Sequence, residues 1–266
     1  MIPSVLLGPL GRHSRLEQTE VALTAPRLPA ELDGLRIGLL ADLHYGRFAG
    51  DAYWHRVIDR VAAAGADLAV LAGDMVDQPK TRAADLARPL RRLAQAMPVL
   101  AVLGNHEYYR GPGPYVRALT EAGVEVLINA HRLIRPRPFA PPVAVAGLDD
   151  IYGGRPDIAA AIAGIDPDTF TVCLSHSPDA ADLATDGQPI DLMLAGHTHG
   201  GQVRLFGKAV LTYTKNKQYV SGLIADRRFP IYISRGLGVT GIPLRVDADP
   251  ELAFITLRAP ARPRRH

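Results

Sequence analysis

Five apolar runs in this chain end in residues able to ligate a metal. The first ends in Asp42-Leu-His44, the second in Gly73-Asp74 and the third in Gly104-Asn105-His106-Glu107. Two later ones end in Ser175-His176 and in Gly196-His197-Thr198-His199. A run that served burial alone would lead into ordinary turn formers instead. In an extended segment residues i and i+2 point to the same side, so Asp42 and His44 can grip one ion, as can His197 and His199. Carboxylate, amide and imidazole donors together suit Mn, Fe or Zn better than Ca or Mg. Asp42, His44, Asp74, Asn105, His176, His197 and His199 make seven donors, more than the four or so that one zinc takes. Two divalent ions sharing a carboxylate are therefore implied. A lone Asp-x-His or Gly-Asp is an ordinary loop or turn; five such groups in order, each ending an apolar run, read as one site. Glycines before Asp74, Asn105 and His197 are expected to let the backbone bend tightly beside the ions.

The elements that must hold these groups are legible as alternation. Arg36–Ala41, Leu68–Ala72 and Pro98–Leu103 read as buried strands, with helices over Asp51–Ala64, Arg82–Ala96 and Tyr115–Ala122 after them. Continuous apolar strands separated by helices indicate a parallel sheet covered on both faces, in an α/β fold whose ligand sites lie beyond the carboxyl ends of the strands. Further strand-like runs are 124–128, 143–148, 170–175, 191–195, 219–225, 230–234 and 251–257, so the last third is richer in strand and is expected to finish antiparallel. Residues 131–142 read as a proline-rich loop. The expected organisation is one domain over 1–266, with 1–19 an N-terminal extension and 259–266 a basic tail.

The order Asp42-x-His44, Gly73-Asp74-x-x-Asp77, Gly104-Asn105-His106-Glu107, His176 and Gly196-His197-x-His199 resembles the calcineurin-like metallophosphoesterase superfamily, over roughly residues 20–258. The resemblance implies a four-layer α-β-β-α sandwich. It implies that Asp42, His44 and His199 bind a first metal, that Asn105, His176 and His197 bind a second, and that Asp74 bridges them. His106 matches the family's catalytic histidine, which contacts the phosphate or protonates the leaving group. Asp42-Leu-His44-Tyr-Gly46, the run from Gly196 to Val203, and Ser234-Arg-Gly-Leu-Gly238 resemble a bacterial phosphodiesterase branch that includes some UDP-2,3-diacylglucosamine pyrophosphatases of lipid A synthesis. The Ser/Thr protein phosphatase branch fits less well: it would have Gly at position 41 and Asp-Arg-Gly after Val76, where this chain has Ala41 and Asp77-Gln78-Pro79. The resulting expectation is a hydrolase of phosphodiesters or pyrophosphates using two divalent ions, Mn²⁺ foremost, with Fe or Zn as alternatives. A cytosolic phosphodiesterase of nucleotide-like compounds is the second reading. A non-catalytic scaffold is the third, and the loss of His106 or of several ligands that would mark it has not occurred.

Substrate contacts are less sharply written. Arg235 is a candidate phosphate clamp, since guanidinium meets phosphate oxygens in a bidentate way. Tyr108, with Tyr45 and Tyr109, could stack on a base or sugar or simply pack. Residues 203–219 mix Phe206, Leu211 and other apolar side chains with Lys208, Lys215 and Lys217. Beside a phosphate site this would suit an acylated, anionic, lipid-linked substrate and peripheral membrane contact; a hairpin with one buried face would look the same. Composition bounds the rest. With 266 residues, 47% hydrophobic and 21% charged, the chain has the profile of a folded globular protein. Net charge is +3 and the sequence pI about 9.1, which is mildly basic; no nucleic acid polymer is expected as a partner. No apolar run approaches the roughly 18–20 residues of a membrane span, and Met1–Leu10 makes a poor signal peptide. Cys173 is the only cysteine and fits a buried strand in a reducing compartment. The expected location is the cytoplasm, with peripheral contact to the inner membrane. The clustered Arg258, Arg262, Arg264 and Arg265 could touch an anionic surface or fray in solvent.

Overall fold

A computed structural model of the chain describes residues 5–7, 15–77, 82–109 and 111–261. Twelve strands form two six-stranded sheets. The first sheet contains β1 (Glu17–Thr24), β2 (Leu35–Leu40), β3 (Leu68–Ala72), β4 (Val99–Val102), β5 (Glu125–Val126) and β12 (Glu251–Arg258). Its order is β1-β12-β2-β3-β4-β5. The second contains β6 (Ala130–Ile134), β7 (Val143–Gly147), β8 (Thr171–Leu174), β9 (Leu192–Ala195), β10 (Gly222–Ile224) and β11 (Ile231–Ile233), in the order β10-β11-β9-β8-β7-β6. The central strands of both sheets run parallel, and antiparallel pairing enters at β2·β12, β6·β7 and β10·β11.

The apolar runs are continuous because both faces of each sheet are covered. Ile37, Leu39, Val70 and Leu100 of the first sheet meet Val145, Val172, Leu174 and Leu194 of the second in one buried cluster between the sheets. On the outer face of the first sheet, Ala69, Leu71, Val99 and Ala101 pack under α1 (Asp51–Ala63), α2 (Ala83–Ala96) and α4 (Gly113–Glu121). A four-residue helix, α3 (Asn105–Tyr108), precedes α4. The outer face of the second sheet, through Ala146, Cys173, Met193 and Ile231, lies under α5 (Ile158–Ile162) and the 3₁₀ turn Pro178–Leu183. The result is a four-layer α-β-β-α arrangement. In α1, buried Tyr53, Trp54, Val57, Ile58 and Val61 follow the helical period, and Trp54 Nε1 donates to the Leu86 carbonyl at 2.9 Å, tying α1 to α2.

Two expectations need correction. Residues 131–134 belong to strand β6, paired antiparallel with β7, rather than to a loop. Residues 17–19 open β1, which pairs with β12 from Glu17↔Glu251 to Thr24↔Arg258, so the extension ends earlier than residue 19. Both are edge strands with one solvated face, which polar side chains suit, and neither shows an apolar run. Cys173 is buried and free in β8. Arg258 ends β12 and pairs with Asp33 at 3.5 Å; Arg262, Arg264 and Arg265, like most of Met1–Leu10, lie outside the described residues. Among the described residues no helix is long and apolar enough to cross a membrane.

Candidate metal centre

The carboxyl ends of β2, β3 and β4 in one sheet and of β8 and β9 in the other open onto a common rim. There the seven donors predicted from the strand ends come together. Asp42 and His44 follow β2, Asp74 follows β3, Asn105 begins α3 after β4, His176 follows β8, and His197 and His199 follow β9. Five of them, Asp42, His44, Asp74, His197 and His199, have φ between +48° and +70°. That left-handed region is tolerated best by Asp, Asn and His among non-glycine residues. Backbone bonds hold the turns: Asp42 N–H donates to Gly73 O at 3.0 Å and His44 N–H to Asp74 O at 3.1 Å. The two sheets are joined at the same place, because the Asp42 carboxylate accepts from His197 N–H at 2.9 Å.

The donors form two groups around Asp74. His44 Nε2 lies 3.0 Å from His199 Nε2 and 3.7 Å from Asp74 Oδ2, while His199 Nε2 is 3.7 Å from Asp42 Oδ1. On the other side, His176 Nε2 lies 3.3 Å from Asp74 Oδ2, 3.2 Å from Asn105 Oδ1 and 3.0 Å from His197 Nδ1. The chemistry of this second group fits a cation. His176 Nδ1 is 2.8 Å from the Ala72 carbonyl, which can only accept, so Nδ1 carries the proton of the neutral ring. Nε2 then faces the oxygens of Asp74 and Asn105, so a positive charge belongs among them: a second ring proton in the metal-free chain, or a cation that takes its place. Asn105 Nδ2 points away, to the Tyr109 hydroxyl at 3.2 Å, which leaves its oxygen toward His176.

In the metal-free chain the imidazoles divide into three held neutral and one held protonated. Burial holds the His44 imidazole down at about 3 and that of His197 at about 4, and pushes His199 well below the ordinary value, so all three are neutral donors. Burial alone would also depress His176, but Asp74, Asp42 and Asp150 outweigh it and hold His176 well above its usual range. Burial raises Asp42 to about 7. It acts on Asp74 in the same direction, yet His176, His44 and His106 prevail and hold that carboxyl well below the usual range.

His106 stands at the opening of the site. Its Nε2 is 3.9 Å from Asp74 Oδ2, its Nδ1 is 3.1 Å from the Asp77 carbonyl, and its own N–H donates to Asp74 Oδ1 at 3.0 Å. In front lies a cavity of about 630 Å³ lined by Asp74, Asn105, His106, His197 and His199 on the floor and by Tyr108, Tyr109, Tyr152 and Tyr213 on the walls. Tyr152 stacks on His197 with centroids 4.9 Å apart, and Tyr109 is tilted over His106 at 4.7 Å. The Tyr152 hydroxyl donates to Asp179 at 2.8 Å, and the Tyr108 hydroxyl donates to Asp149.

Several expectations about substrate contacts change. Arg235 does not line the cavity: its Nη2 donates to Glu17 Oε2 at 2.7 Å and lies 3.5 Å from Glu251, so it clasps the start of β1 rather than a phosphate. Phe206 and Leu211 also stand outside the cavity lining, Phe206 at the tip of a small hairpin and Leu211 just after it. Tyr108 does line it; Tyr45 is buried elsewhere, bonded to Asp51. Of the glycines, Gly73 uses its freedom, with φ +79°. At Gly104 closeness decides: a Cβ there would lie 2.3 Å from Asp74 Oδ1.

Three features escaped the sequence reading. Glu107 is fully buried and accepts N–H bonds from Asp74 at 3.0 Å, Met75 at 2.9 Å, Val76 at 3.2 Å and Gly104 at 2.8 Å. It thus ties the turn carrying Asp74 to the turn carrying Asn105. Arg245, also fully buried, donates to the carbonyls of Ala248 at 2.7 Å, Arg235 at 2.8 Å and His199 at 3.2 Å, and so anchors the Ser234–Gly238 loop beneath Asp42. Tyr152 and Tyr213 complete the aromatic walls. Glu107 was visible as the fourth residue of Gly-Asn-His-Glu; nothing in sequence marks Arg245.

Comparison with known proteins places these features in a group. A family model described as calcineurin-like phosphoesterase matches residues 35–201. The chain is 32% identical over 248 residues to the metallophosphoesterase YkuE of Bacillus subtilis, covering 92% of this chain and 86% of that protein. It is 30% identical over 249 residues to a transmembrane protein with metallophosphoesterase domain of Danio rerio, covering 90% of this chain but only 56% of that relative. Among solved structures, TT1561 of Thermus thermophilus superposes with a TM-score of 0.52 at 15% identity, over 76% of this chain and 90% of that one, a likeness of fold alone.

Proposed function

The chain belongs to the calcineurin-like phosphoesterase family, and from that premise we propose that it hydrolyses phosphodiesters or pyrophosphates with two divalent cations. Mn²⁺ is the first choice, with Fe or Zn as alternatives, given mixed nitrogen and oxygen donors. Asp42, His44 and His199 would hold one cation and Asn105, His176 and His197 the other, with Asp74 reaching both. The observation that carries this reading is the meeting of His176 Nε2 with Asp74 Oδ2 and Asn105 Oδ1 at 3.3 and 3.2 Å. Such cations supply Lewis-acid polarisation of a phosphoryl group and a lowered water pKa.

The protein's own groups do the rest. Glu107 fixes the two turns from which Asp74 and Asn105 project. His106 Nδ1 is anchored on the Asp77 carbonyl, which leaves Nε2 facing the floor of the cavity, where the doubly protonated ring can hand its Nε2 proton to a departing oxygen and remain as the neutral Nδ1–H form. Among the described residues lining the cavity none is Lys or Arg. A phosphomonoester presents a second negative charge that such walls would leave unmatched; a diester does not, and its second substituent can lie against the tyrosines. This favours a diester, and the tyrosine walls also favour a flat substituent such as a nucleobase. UDP-diacylglucosamine carries both a base and acyl chains, which keeps the lipid-linked reading beside the nucleotide-like one. The test is parallel turnover of UDP-diacylglucosamine, a cyclic nucleotide, a chromogenic diester and a phosphomonoester, by metal-stripped protein reloaded with Mn²⁺. Faster hydrolysis of the monoester than of every diester would overturn the diester assignment, and no turnover of any of them would favour the scaffold reading.

A further inference from the structure

Large exposed apolar side chains are unevenly spread over this molecule. Of thirteen among the described residues, six (Leu205, Phe206, Val210, Leu211, Tyr213 and Ile242) stand on two neighbouring segments. Residues 204–205 and 208–209 form a two-stranded hairpin with Phe206 and Gly207 at its tip. Gln202 at its base donates to the carbonyls of Thr240 and Ile242, both at 3.0 Å, which brings the loop bearing Ile242 alongside. Tyr213, Thr240 and Gly241 line the cavity, so this patch borders its mouth.

Phe206 is the informative residue. Its relative exposure is 102% and its φ is +52°, followed by +77° at Gly207. That is the turn geometry normally filled by Asn-Gly, and a bulky aromatic is disfavoured there. In water the residue bears both a backbone penalty and an unburied ring. Scattered exposed apolar residues need no explanation, but a contiguous patch with a protruding aromatic does.

Charge identifies what meets it. From Val203 to Ala225 there is no Asp or Glu, while Lys208 on the hairpin and Lys215 further along are both exposed. Lys217 adds a third positive charge, with its ammonium on the Thr212 and Thr214 carbonyls. An apolar tip with Lys208 beside it, on a stretch without acidic residues, matches an anionic bilayer surface: the ring enters the acyl boundary and the Lys208 ammonium reaches headgroup phosphates. We propose that the 204–209 hairpin, backed by Val210, Leu211 and Ile242, is a shallow insertion tip that seats the cavity mouth on an anionic lipid surface. This stands apart from the hydrolase assignment, since binding can be read without turnover.

The test is co-sedimentation of the full-length protein with phosphatidylcholine vesicles, with and without phosphatidylglycerol, at low and high salt. Binding should need the anionic lipid and weaken with salt, because the charges are screened over about 10 Å at 0.1 M. Phe206→Gly should lower partitioning on the order of ten-fold or more, the worth of burying one aromatic ring. It should not lower Tm, because glycine accepts this φ, so lost binding cannot be ascribed to unfolding. Phe206→Trp should keep binding, and its emission should shift to the blue on vesicle addition, readable because the single native Trp54 is fully buried. Failure of the native protein to bind anionic vesicles, or equal binding by Phe206→Gly, would overturn the proposal. So would self-association abolished by Phe206→Gly without any vesicle binding, which would assign the patch to a second copy of the chain.

Discussion

Glu107→Gln is isosteric, yet it removes acceptor capacity from a side chain that four backbone donors share. A carboxamide has one accepting oxygen. Placed at the Oε1 position it keeps the bonds from Met75 and Val76, and its NH₂ then faces the N–H groups of Asp74 and Gly104, donor against donor. Two buried donors are left unsatisfied, at about 1–3 kcal/mol each, or roughly 2–6 kcal/mol together. Against a total stability of about 5–15 kcal/mol this is a large fraction. At roughly 2–4 °C per kcal/mol for a chain of this size, Tm should fall by about 5–20 °C. The displaced groups are the backbones that aim Asp74 and Asn105, so metal content should fall as well, measured by elemental analysis after gel filtration. Residual activity should track residual metal, leaving turnover per metal pair nearly unchanged. A Glu107→Gln protein with native Tm and full metal content would refute the positioning role and the reasoning behind it.

Three further outcomes are expected. His106→Ala should retain both metals while kcat falls by on the order of 10²–10⁴, the usual worth of a positioned acid–base group, and full activity would remove His106 from the mechanism. Asp74→Asn should lose most of the metal from at least one site in elemental analysis, whereas full occupancy of both would contradict a shared carboxylate. Loading the metal-free protein near pH 7 should release at least one proton. His176, held above its usual pKa, must give one up, and Asp42, at about 7, gives up a fraction. Calorimetry in buffers of different ionisation enthalpy reads this number, and it should decline as pH rises past both values; no proton release would refute the assignment of those two groups.

The central sheets and the metal-ligating residue types were legible because both are local properties. A run such as Leu68–Ala72 is apolar throughout since it is covered on both sides, and the polar residue that follows must answer to something beyond the strand end. Edge strands β1 and β6 were not legible, because solvent on one face removes the apolar signal while hydrogen bonding to a neighbouring strand supplies the structure. Side-chain direction was hidden too. Arg235 follows a strand end just as the metal donors do, but its partner Glu17 lies 218 positions away, and no spacing rule reports that. Glu107 shows the same limit from the other side: its motif was visible, while its work, accepting backbone N–H groups from two turns, depends on where those turns meet.

Stability and chemistry share hydrogen bonds at this rim. His197 N–H reaches across to the Asp42 carboxylate, and the His176 ring to the Ala72 carbonyl, so the contacts that orient donors also join the two sheets. Five donors sit at left-handed φ, each at a cost of order 1 kcal/mol or more, which the surrounding bonds must offset. Lost activity at Asp42, Asp74 or His176 therefore has two causes that kinetics alone cannot separate, a missing ligand and a loosened joint. His106 differs. Its hydrogen bonds to the joint are those from its backbone N–H to Asp74 and from its ring to the Asp77 carbonyl, and its ring packs edge-on against His44 at 4.5 Å. Alanine keeps the first of these bonds, so His106→Ala removes a proton donor while leaving the joint closed, whereas Glu107→Gln opens the joint and spares every donor. A catalytic site shaped as described requires the two variants to fail differently, one in turnover with metals and Tm intact, the other in metals and Tm with turnover per metal pair intact.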